Sequence, residues 1–134
     1  MTCEAVPVDP KRAHEIWPTV APLIREAMAR AAMSEFATVE HNIRNGDALL
    51  WLAWDGEQIR AAAVTELHRI NGRKFCLIVA CGGRERERWL SLISDLEQFA
   101  RDEGCDAMRI CGRRGWTRVL PDYRATRVIL EKEL

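Results

Sequence analysis

Two turn signals between three apolar runs place the strongest constraint on what this chain can fold into. The run Leu49–Trp54 is followed by Asp55-Gly56, and the run Ile59–His68 is followed by Asn71-Gly72. Both dipeptides favour the tight turns of β-hairpins, because their residues tolerate a positive φ. The third run, Lys74–Cys81, is apolar almost throughout, which is typical of a central strand covered on both faces. The segment therefore predicts a meander of three antiparallel strands.

Helical and strand patterns on either side of this meander predict one α/β domain over residues 1–134. The elements predicted before it are a strand over 2–8, a helix from Asp9 to about Ala32 that Pro18 and Pro22 divide in two, and a helix from a Ser34 cap to Asn45-Gly46. Those predicted after it are a helix Arg84–Glu103, a strand Cys105–Cys111 parallel to Lys74–Cys81, a turn Gly112–Asp122 and a last strand Arg124–Glu133. This order predicts a mixed, mostly antiparallel twisted sheet with helices on both faces.

Composition and charge exclude several classes of protein. The 134 residues are 48% hydrophobic and 30% charged, which argues against disorder, and the formal net charge of zero does not predict a nucleic-acid or membrane partner. No apolar run is long enough for a membrane span, and Met1–Glu4 lacks the basic start of a signal peptide. The five cysteines form no C-x-x-C pair, so we expect neither a metal site nor a disulfide framework. The sequence predicts a cytoplasmic protein with no metal and no membrane partner.

Arginines concentrate near the end of the chain. Six of them lie between Arg109 and Arg127, against the single acid Asp122. The cluster is typical either of a solvated surface balanced by distant acids or of a surface that binds anions. Both interpretations stay open from the sequence.

The order of elements resembles that of the GNAT superfamily of acyl-CoA-dependent N-acyltransferases over nearly the whole chain. The segment Leu92–Cys105, which ends in Phe99-Ala100-Arg101 and Gly104-Cys105, is similar to the central helix of that family. The resemblance implies the GNAT-like fold and, as partners, acetyl-CoA or another acyl-CoA and an amine acceptor.

The same resemblance places the acyl-CoA on the loop before this helix. The family loop reads Arg/Gln-x-x-Gly-x-Gly/Ala, and its first residue falls on Arg84. Its two small positions fall on Glu87 and Trp89, which depart from the pattern because a carboxylate repels phosphate and an indole fills space. Gly82-Gly83 offers a shifted cradle for the pyrophosphate. The cofactor-binding residues implied are Val79, Cys81, Gly82, Gly83, Arg84 and Arg86.

Analogy with the family also implies a general base and a general acid. Glu66 is the implied base, with His68 as the alternative, although this strand face is more typical of the wet side of a sheet. The only tyrosine, Tyr123, is the implied acid, although an isolated tyrosine is often a packing residue. The segment Gly112–Trp116 leaves no room for the helix that the family has at this point.

Two functions remain open on these grounds. The first is an acyl-CoA-dependent N-acyltransferase with a degenerate pyrophosphate loop. The second is a non-catalytic binding or structural protein that keeps the fold, since Gly115–Arg124 and Leu130–Leu134 resemble stretches of small phage and prophage products. In that case the Arg109–Arg127 cluster is expected to face a protein or polyanion partner, and the protein to be virion-associated.

Overall fold

The predicted meander forms the centre of a five-stranded sheet. The structure is a computed structural model that describes residues 3–30, 34–112 and 115–134. Its strands are β1 (Glu4–Pro7), β2 (Leu49–Trp54), β3 (Ile59–Ile70), β4 (Arg73–Gly83) and β5 (Ala107–Ile110). Its helices are α1 (Ala13–Arg30), α2 (Phe36–Asn45), α3 (Arg86–Trp89), α4 (Ser91–Asp102) and α5 (Trp116–Val119). The strand order is β1-β2-β3-β4-β5, antiparallel except for the parallel pair β4–β5.

Helices cover both faces of this sheet, and each face has its own apolar core. On one face α1 and α2 pack on alternate residues of β2 and β3, with Ile24, Val39, Leu50 and Val64 almost fully buried. On the other face α4 packs its Leu92, Ile93 and Leu96 against Trp51 and Ile78. The predicted fold class, a mixed and mostly antiparallel sheet between two helical layers, is confirmed. Within the described residues, no helix has the length and hydropathy to cross a bilayer.

The two hairpin turns form where the sequence predicts them. Asn71 and Gly72 both have positive φ values, 52° and 80°, as a two-residue turn between twisted strands requires. In the other turn Asp55 is buried, and its Oδ1 accepts hydrogen bonds from the backbone N–H of Glu57 (2.8 Å) and Gln58 (2.7 Å). Its Oδ2 accepts a hydrogen bond from Arg60 Nε at 2.6 Å.

Asp55 makes the stability of this hairpin depend on pH. The backbone N–H groups of Gln58 and Glu57, followed by the Arg60 guanidinium, hold the pKa of its carboxyl well below the usual range. A carboxyl whose pKa is lowered by folding stabilises the protein above its unfolded pKa of about 4, and this contribution is lost as pH falls below that value. We expect Asp55→Asn to lower the melting temperature at pH 7, with a difference from wild type that shrinks below about pH 4. Thermal melts from pH 7 to 2.5 measure it.

Asp47 supplies the control. It is exposed, and its carboxyl accepts no side-chain or backbone hydrogen bond from any described residue. Asp47→Asn should leave the melting temperature within about a degree of wild type throughout. If Asp55→Asn behaves in the same way, the carboxylate does not hold the turn.

The N-terminal helices differ from the prediction in two respects. The structure has one continuous α1 across Pro18 and Pro22, so the predicted division is wrong. Both prolines lie on the exposed face, where water can hydrate the carbonyls that lose their partners, while the opposite face is held by Trp17 and Ile24 among other buried residues. The predicted end at Ala32 lies outside the described residues. Helix α2 has Glu35 rather than Ser34 at its N-cap, and the predicted stop at Gly46 is confirmed by its left-handed φ of 79°.

The segments after the meander also differ from the prediction. The predicted helix Arg84–Glu103 is two helices, α3 and α4, which begin only after Glu85 has taken a left-handed conformation (φ 54°). The predicted turn Gly112–Asp122 contains the short helix α5, so room for a helix does exist there. The predicted strand Arg124–Glu133 is absent: residues 124–134 form no regular secondary structure and pair with no strand of the described chain.

Candidate functional site

A cavity opens where β4 and β5 separate. The two strands pair from Phe75 with Ala107 to Ile78 with Ile110, and there β5 ends while β4 continues to Gly83. The space beyond is a cavity of about 290 Å³ bounded by α1, β4, the start of α3 and the segment that follows β5. All six predicted cofactor-binding residues line it, namely Val79, Cys81, Gly82, Gly83, Arg84 and Arg86. The structure thus brings together residues that the sequence placed on one strand and its following loop.

A β-bulge in β4 lies at the entrance to this cavity. Val64 of β3 pairs with Ala80 and Thr65 pairs with Ile78, so Val79 is the extra residue without a partner on β3. Because β5 ends opposite Ile78, the cavity-facing edge of β4 from Val79 onward pairs with no strand of the described chain. Unpaired backbone at a strand edge binds an extended, amide-containing ligand in the manner of an added strand.

The two glycines of the cavity wall are required for packing. A Cβ atom on Gly82 would lie 2.8 Å from the Leu23 carbonyl oxygen and 3.0 Å from the Ala27 Cβ, both in α1. A Cβ on Gly83 would overlap the Arg60 carbonyl oxygen and Ala61 of β3. Their missing side chains therefore let α1 and β3 approach the end of β4, and what they present to the cavity is backbone.

Positive charge exceeds negative charge around the cavity. Among the described residues, three arginines and one acid line it, namely Arg30, Arg84, Arg86 and Glu26, and Arg30 contacts Glu26 through an ion pair of 3.2 Å. Arg84 and Arg86 are exposed on the loop and first turn of α3. Guanidinium groups on a loop beside unpaired backbone suit a phosphate or pyrophosphate group.

The structure explains the two departures from the family loop. Glu87 is exposed and does not line the cavity, so its carboxylate does not lie among the groups that face it. Trp89 lines the cavity but is 97% buried, and its indole N–H donates a hydrogen bond to the Arg84 carbonyl oxygen at 3.0 Å. The indole thereby belongs to the α4-side core and fixes the backbone of the loop.

Two thiols belong to the cavity wall, one from each of the separating strands. Cys81 lies near the end of β4 and Cys111 directly after β5. Burial raises the pKa of the Cys81 thiol to about 12. Cys81 therefore stays protonated at neutral pH and is a weak nucleophile.

Glu66 lies on β3 beside the cavity but does not line it. It is on the face that packs against α1 and α2, about 7 Å along the strand from Val64, which pairs with the cavity residue Ala80. Its carboxylate accepts a hydrogen bond from Asn42 Nδ2 of α2 at 3.4 Å and contacts His68 Nε2 at 2.9 Å. The prediction that this face of β3 is solvent-exposed is wrong for Ala62 and Val64, which are fully buried. The Glu66 side chain on the same face is 16% exposed.

Tyr123 is not brought to the cavity. It follows α5, and its hydroxyl donates a hydrogen bond of 2.7 Å to the Glu97 carboxylate on α4. Burial, and then this hydrogen bond to Glu97, raise the pKa of Tyr123 above its usual range. The phenol is thus protonated and fixes the segment after α5 to α4.

The arginine cluster has no single role in the structure. Arg109 of β5 is half-buried, and its guanidinium lies 3.7 Å from the centre of the Phe75 ring. Arg118, Arg124 and Arg127 are exposed, while Arg113 and Arg114 lie outside the described residues.

The cavity residues of α1 and α5 were not predicted from the sequence. Helix α1 supplies Leu23, Glu26, Ala27 and Arg30, and the spacing of three or four residues is a stripe on one helix face. Trp116 of α5 lines the opposite wall, with its indole against Gly112. The sequence shows that these four α1 residues lie on one face of the helix. It does not show that this face lines the cavity, because that depends on which strand α1 packs against.

Solved structures with the same architecture include acetyltransferases. A GNAT family acetyltransferase from Staphylococcus aureus matches at a TM-score of 0.66 and 14% identity, with both chains covered completely. An aminoglycoside acetyltransferase from an uncultured soil metagenomic sample, solved in complex with sisomicin, matches at a TM-score of 0.71 and 9% identity over 98% of this chain and 96% of that one. A ribosomal-protein-alanine N-acetyltransferase from Brucella melitensis matches at 0.66 and 12% over 99% and 98%.

These likenesses show that the chain has the GNAT-like fold, as the order of elements predicts. No protein-family model and no curated protein matches the sequence.

Proposed function

We propose that this protein is an acyl-CoA-dependent N-acyltransferase. The observation that carries the proposal is the cavity at the separation of β4 and β5, whose wall contains all six residues predicted to bind the cofactor. The three solved structures named above share the fold and are named as acetyltransferases, which supports the same activity class. The cavity fits an acyl-CoA in two respects: unpaired backbone at the Val79 bulge suits an amide-containing arm, and Arg84 with Arg86 suits its phosphates.

The bound acyl-CoA supplies an activated acyl group in a thioester. In the proposed site the edge of β4 from Val79 to Gly83 orients the arm, and Arg84 and Arg86 hold the phosphates. Glu66 accepts the proton of the acceptor amine, and His68 and Asn42 position its carboxylate. In the overall reaction the carbonyl carbon loses its bond to sulfur and gains a bond to nitrogen, while the proton leaves the amine and the sulfur ends as a thiol.

The proposed acceptor is a primary amine. Two of the structural neighbours are named for an aminoglycoside and for the alanine of a ribosomal protein. Sisomicin and a short peptide with an N-terminal alanine are therefore the first acceptors to assay.

We expect millimolar acetyl-CoA to raise the melting temperature by several degrees. A ligand at about 100 times its dissociation constant stabilises the folded state by about 2.7 kcal/mol, and a domain of this size converts that into a clear shift. Thermal melts with and without acetyl-CoA measure it. A melting temperature that stays unchanged up to about 5 mM acetyl-CoA would contradict the proposal.

S-acetylpantetheine, which has the arm and the thioester but no nucleotide, separates the two parts of the site. Arg84→Ala/Arg86→Ala should weaken binding of acetyl-CoA by up to about fivefold for each exposed arginine, and should leave binding of S-acetylpantetheine unchanged. Arg12→Ala/Arg69→Ala is the matched control, because both residues are exposed and neither lines the cavity. If both double variants weaken acetyl-CoA binding equally, Arg84 and Arg86 do not bind its phosphates.

The second function open from the sequence, a binding protein of phage type, gains no support. The structural neighbours named above are acetyltransferases, and Arg109 packs on Phe75 rather than standing free at the surface. Nothing in the described part of the chain favours a virion partner.

A further inference from the structure

Two arginines lie over the same aromatic ring, on the face of the sheet that carries Glu66. The guanidinium of Arg109 on β5 lies 3.7 Å from the centre of the Phe75 ring, and that of Arg73 on β4 lies 4.9 Å from it. Phe75 is only 4% exposed, so its ring is a fixed support for both groups. Stacking uses the flat face of a guanidinium, whereas its N–H donors lie around its rim. Both arginines therefore keep donors for a further partner.

No acidic group in the described part of the chain neutralises these two guanidinium groups. Neither Arg73 nor Arg109 belongs to any ion pair formed among the described residues. The residues outside that part of the chain include no Asp and no Glu. Arg109 is half-buried, and there the attraction between opposite charges is screened less than it is in bulk water. Two guanidinium groups held together without a counter-charge are suited to bind an oxyanion.

The strand register places Arg109 in one row with the proposed base. Leu77 of β4 pairs with Glu66 of β3 on one side and with Arg109 of β5 on the other. Directly paired residues have their side chains on the same face of a sheet. Two strand spacings separate the Cα atoms of Glu66 and Arg109 by about 10 Å. His68 and Phe75 pair in the next row on this face, so the base and the two stacked arginines border one surface.

This surface adjoins the end of the cavity at which β4 and β5 begin to separate. Leu77 precedes the bulge residue Val79 by two positions, and the unpaired edge of β4 starts at Val79. Arg84 and Arg86 lie beyond the other end of that edge. An acyl-CoA whose phosphates these two arginines hold therefore extends its thioester toward Val79. An acceptor amine that reaches the thioester from the row of Leu77 passes over the surface described above.

We propose that the acceptor is a primary amine that also carries a carboxylate or a phosphate, and that Arg73 and Arg109 bind this anion while Glu66 faces the amine. The inference rests on the N-acyltransferase function proposed above and names the class of its acceptor. Either anion accepts two parallel hydrogen bonds from one guanidinium, so the arginines orient the acceptor as well as attract it. A polycation such as sisomicin is a poor acceptor in this site, because it brings positive charge against both arginines.

Paired acceptors that differ in the charged group test the proposal. β-Alanine with β-alaninamide tests a carboxylate, and O-phosphoethanolamine with ethanolamine tests a phosphate. The release of free thiol from acetyl-CoA gives kcat/KM for each amine. We expect at least one anionic amine to exceed its neutral partner by about tenfold or more, as is typical of hydrogen bonds to a charged group. The pair that shows this preference identifies the anion.

Arg109→Gln should lower kcat/KM for the preferred anionic amine by about tenfold or more, and for its neutral partner by less than about twofold. A general effect on folding lowers both values alike, so the ratio between the two amines isolates the anion contact. Should Arg109→Gln fail to fold, Arg73→Gln makes the same test, since Arg73 is exposed. Arg69→Gln is the control, because Arg69 is exposed on β3 three residues from Glu66 and thus on the opposite face. It should leave the ratio unchanged.

Three results would overturn this choice of acceptor. They are equal kcat/KM values within both pairs, transfer to sisomicin or to the neutral amines alone, and an unchanged preference in folded Arg109→Gln or Arg73→Gln. In each of these cases the acetyl group is still transferred, so the acyltransferase function stands. The absence of transfer to every amine, with an unchanged melting temperature in acetyl-CoA, would overturn the acyltransferase function and this acceptor with it.

Discussion

Replacing Ala27 by Phe should remove most of the stabilisation of this protein by acetyl-CoA. Ala27 lies on the α1 wall of the cavity and is half-exposed, so a larger side chain there takes up part of the 290 Å³ available. If binding becomes about 100-fold weaker, a stabilisation of about 2.7 kcal/mol at fixed acetyl-CoA falls to about 0.4 kcal/mol. The melting shift of several degrees would then shrink to about one degree. Isothermal titration with acetyl-CoA gives the affinity directly.

Ala29→Phe is the matched control, since Ala29 lies on the same helix and is exposed away from the cavity. It should bind acetyl-CoA as wild type does. Should Ala27→Phe fail to fold, Gly115→Phe fills the cavity from the opposite wall, where a Cβ meets nothing within 4 Å. Wild-type affinity in a folded Ala27→Phe or Gly115→Phe would mean that acetyl-CoA does not use this cavity.

Glu66→Gln should lower the rate of acyl transfer by about 100-fold or more while leaving acetyl-CoA binding unchanged. The amide cannot accept a proton, and a positioned general base contributes about 10²- to 10⁴-fold. Glutamine keeps the size of the side chain and its contact with Asn42, so the sheet should be undisturbed. The release of free thiol from acetyl-CoA, with sisomicin or the alanine peptide as acceptor, gives the rate.

Glu57→Gln controls for the loss of one carboxylate, because Glu57 lies in the β2–β3 turn and is exposed. It should retain the full rate. His68→Asn removes the ring that contacts Glu66 Oε1, and we expect a smaller loss with a changed pH profile. Full activity in Glu66→Gln, with an unchanged melting temperature, would exclude Glu66 as the base.

Sequence signals that act over a few residues were sufficient to predict most of the strands and turns of the sheet. Asn71-Gly72 predicts a turn because both residues tolerate a positive φ, and both have one. Gly46 and Gly104 predict helix ends for the same reason, and each has a φ near 80°. The stripe of Leu92, Ile93 and Leu96 predicts a buried helix face, because helical spacing alone brings these side chains together.

The candidate site was predictable only on the side formed by one continuous stretch of chain. Residues 79–86 follow one another along β4 and its loop, so a resemblance to a known loop reaches them. The α1 wall and Trp116 come from segments more than 25 residues away, and no spacing rule connects them to β4. Tyr123 and Glu66, named by analogy, lie outside the cavity lining, and their catalytic roles stay predictions.

Where the local conformational preference of a segment conflicts with its tertiary contacts, the tertiary contacts determine its secondary structure. Pro18 and Pro22 favour a break, yet α1 stays continuous because its other face buries Trp17 and Ile24 against the sheet. The run 124–130 favours a strand, yet it forms none in the single chain because a strand needs a neighbour to pair its backbone. The sequence by itself determined turns, caps and apolar faces, which depend on neighbours along the chain. The tertiary structure decided the cavity and the unpaired edge, which depend on which segments meet in space.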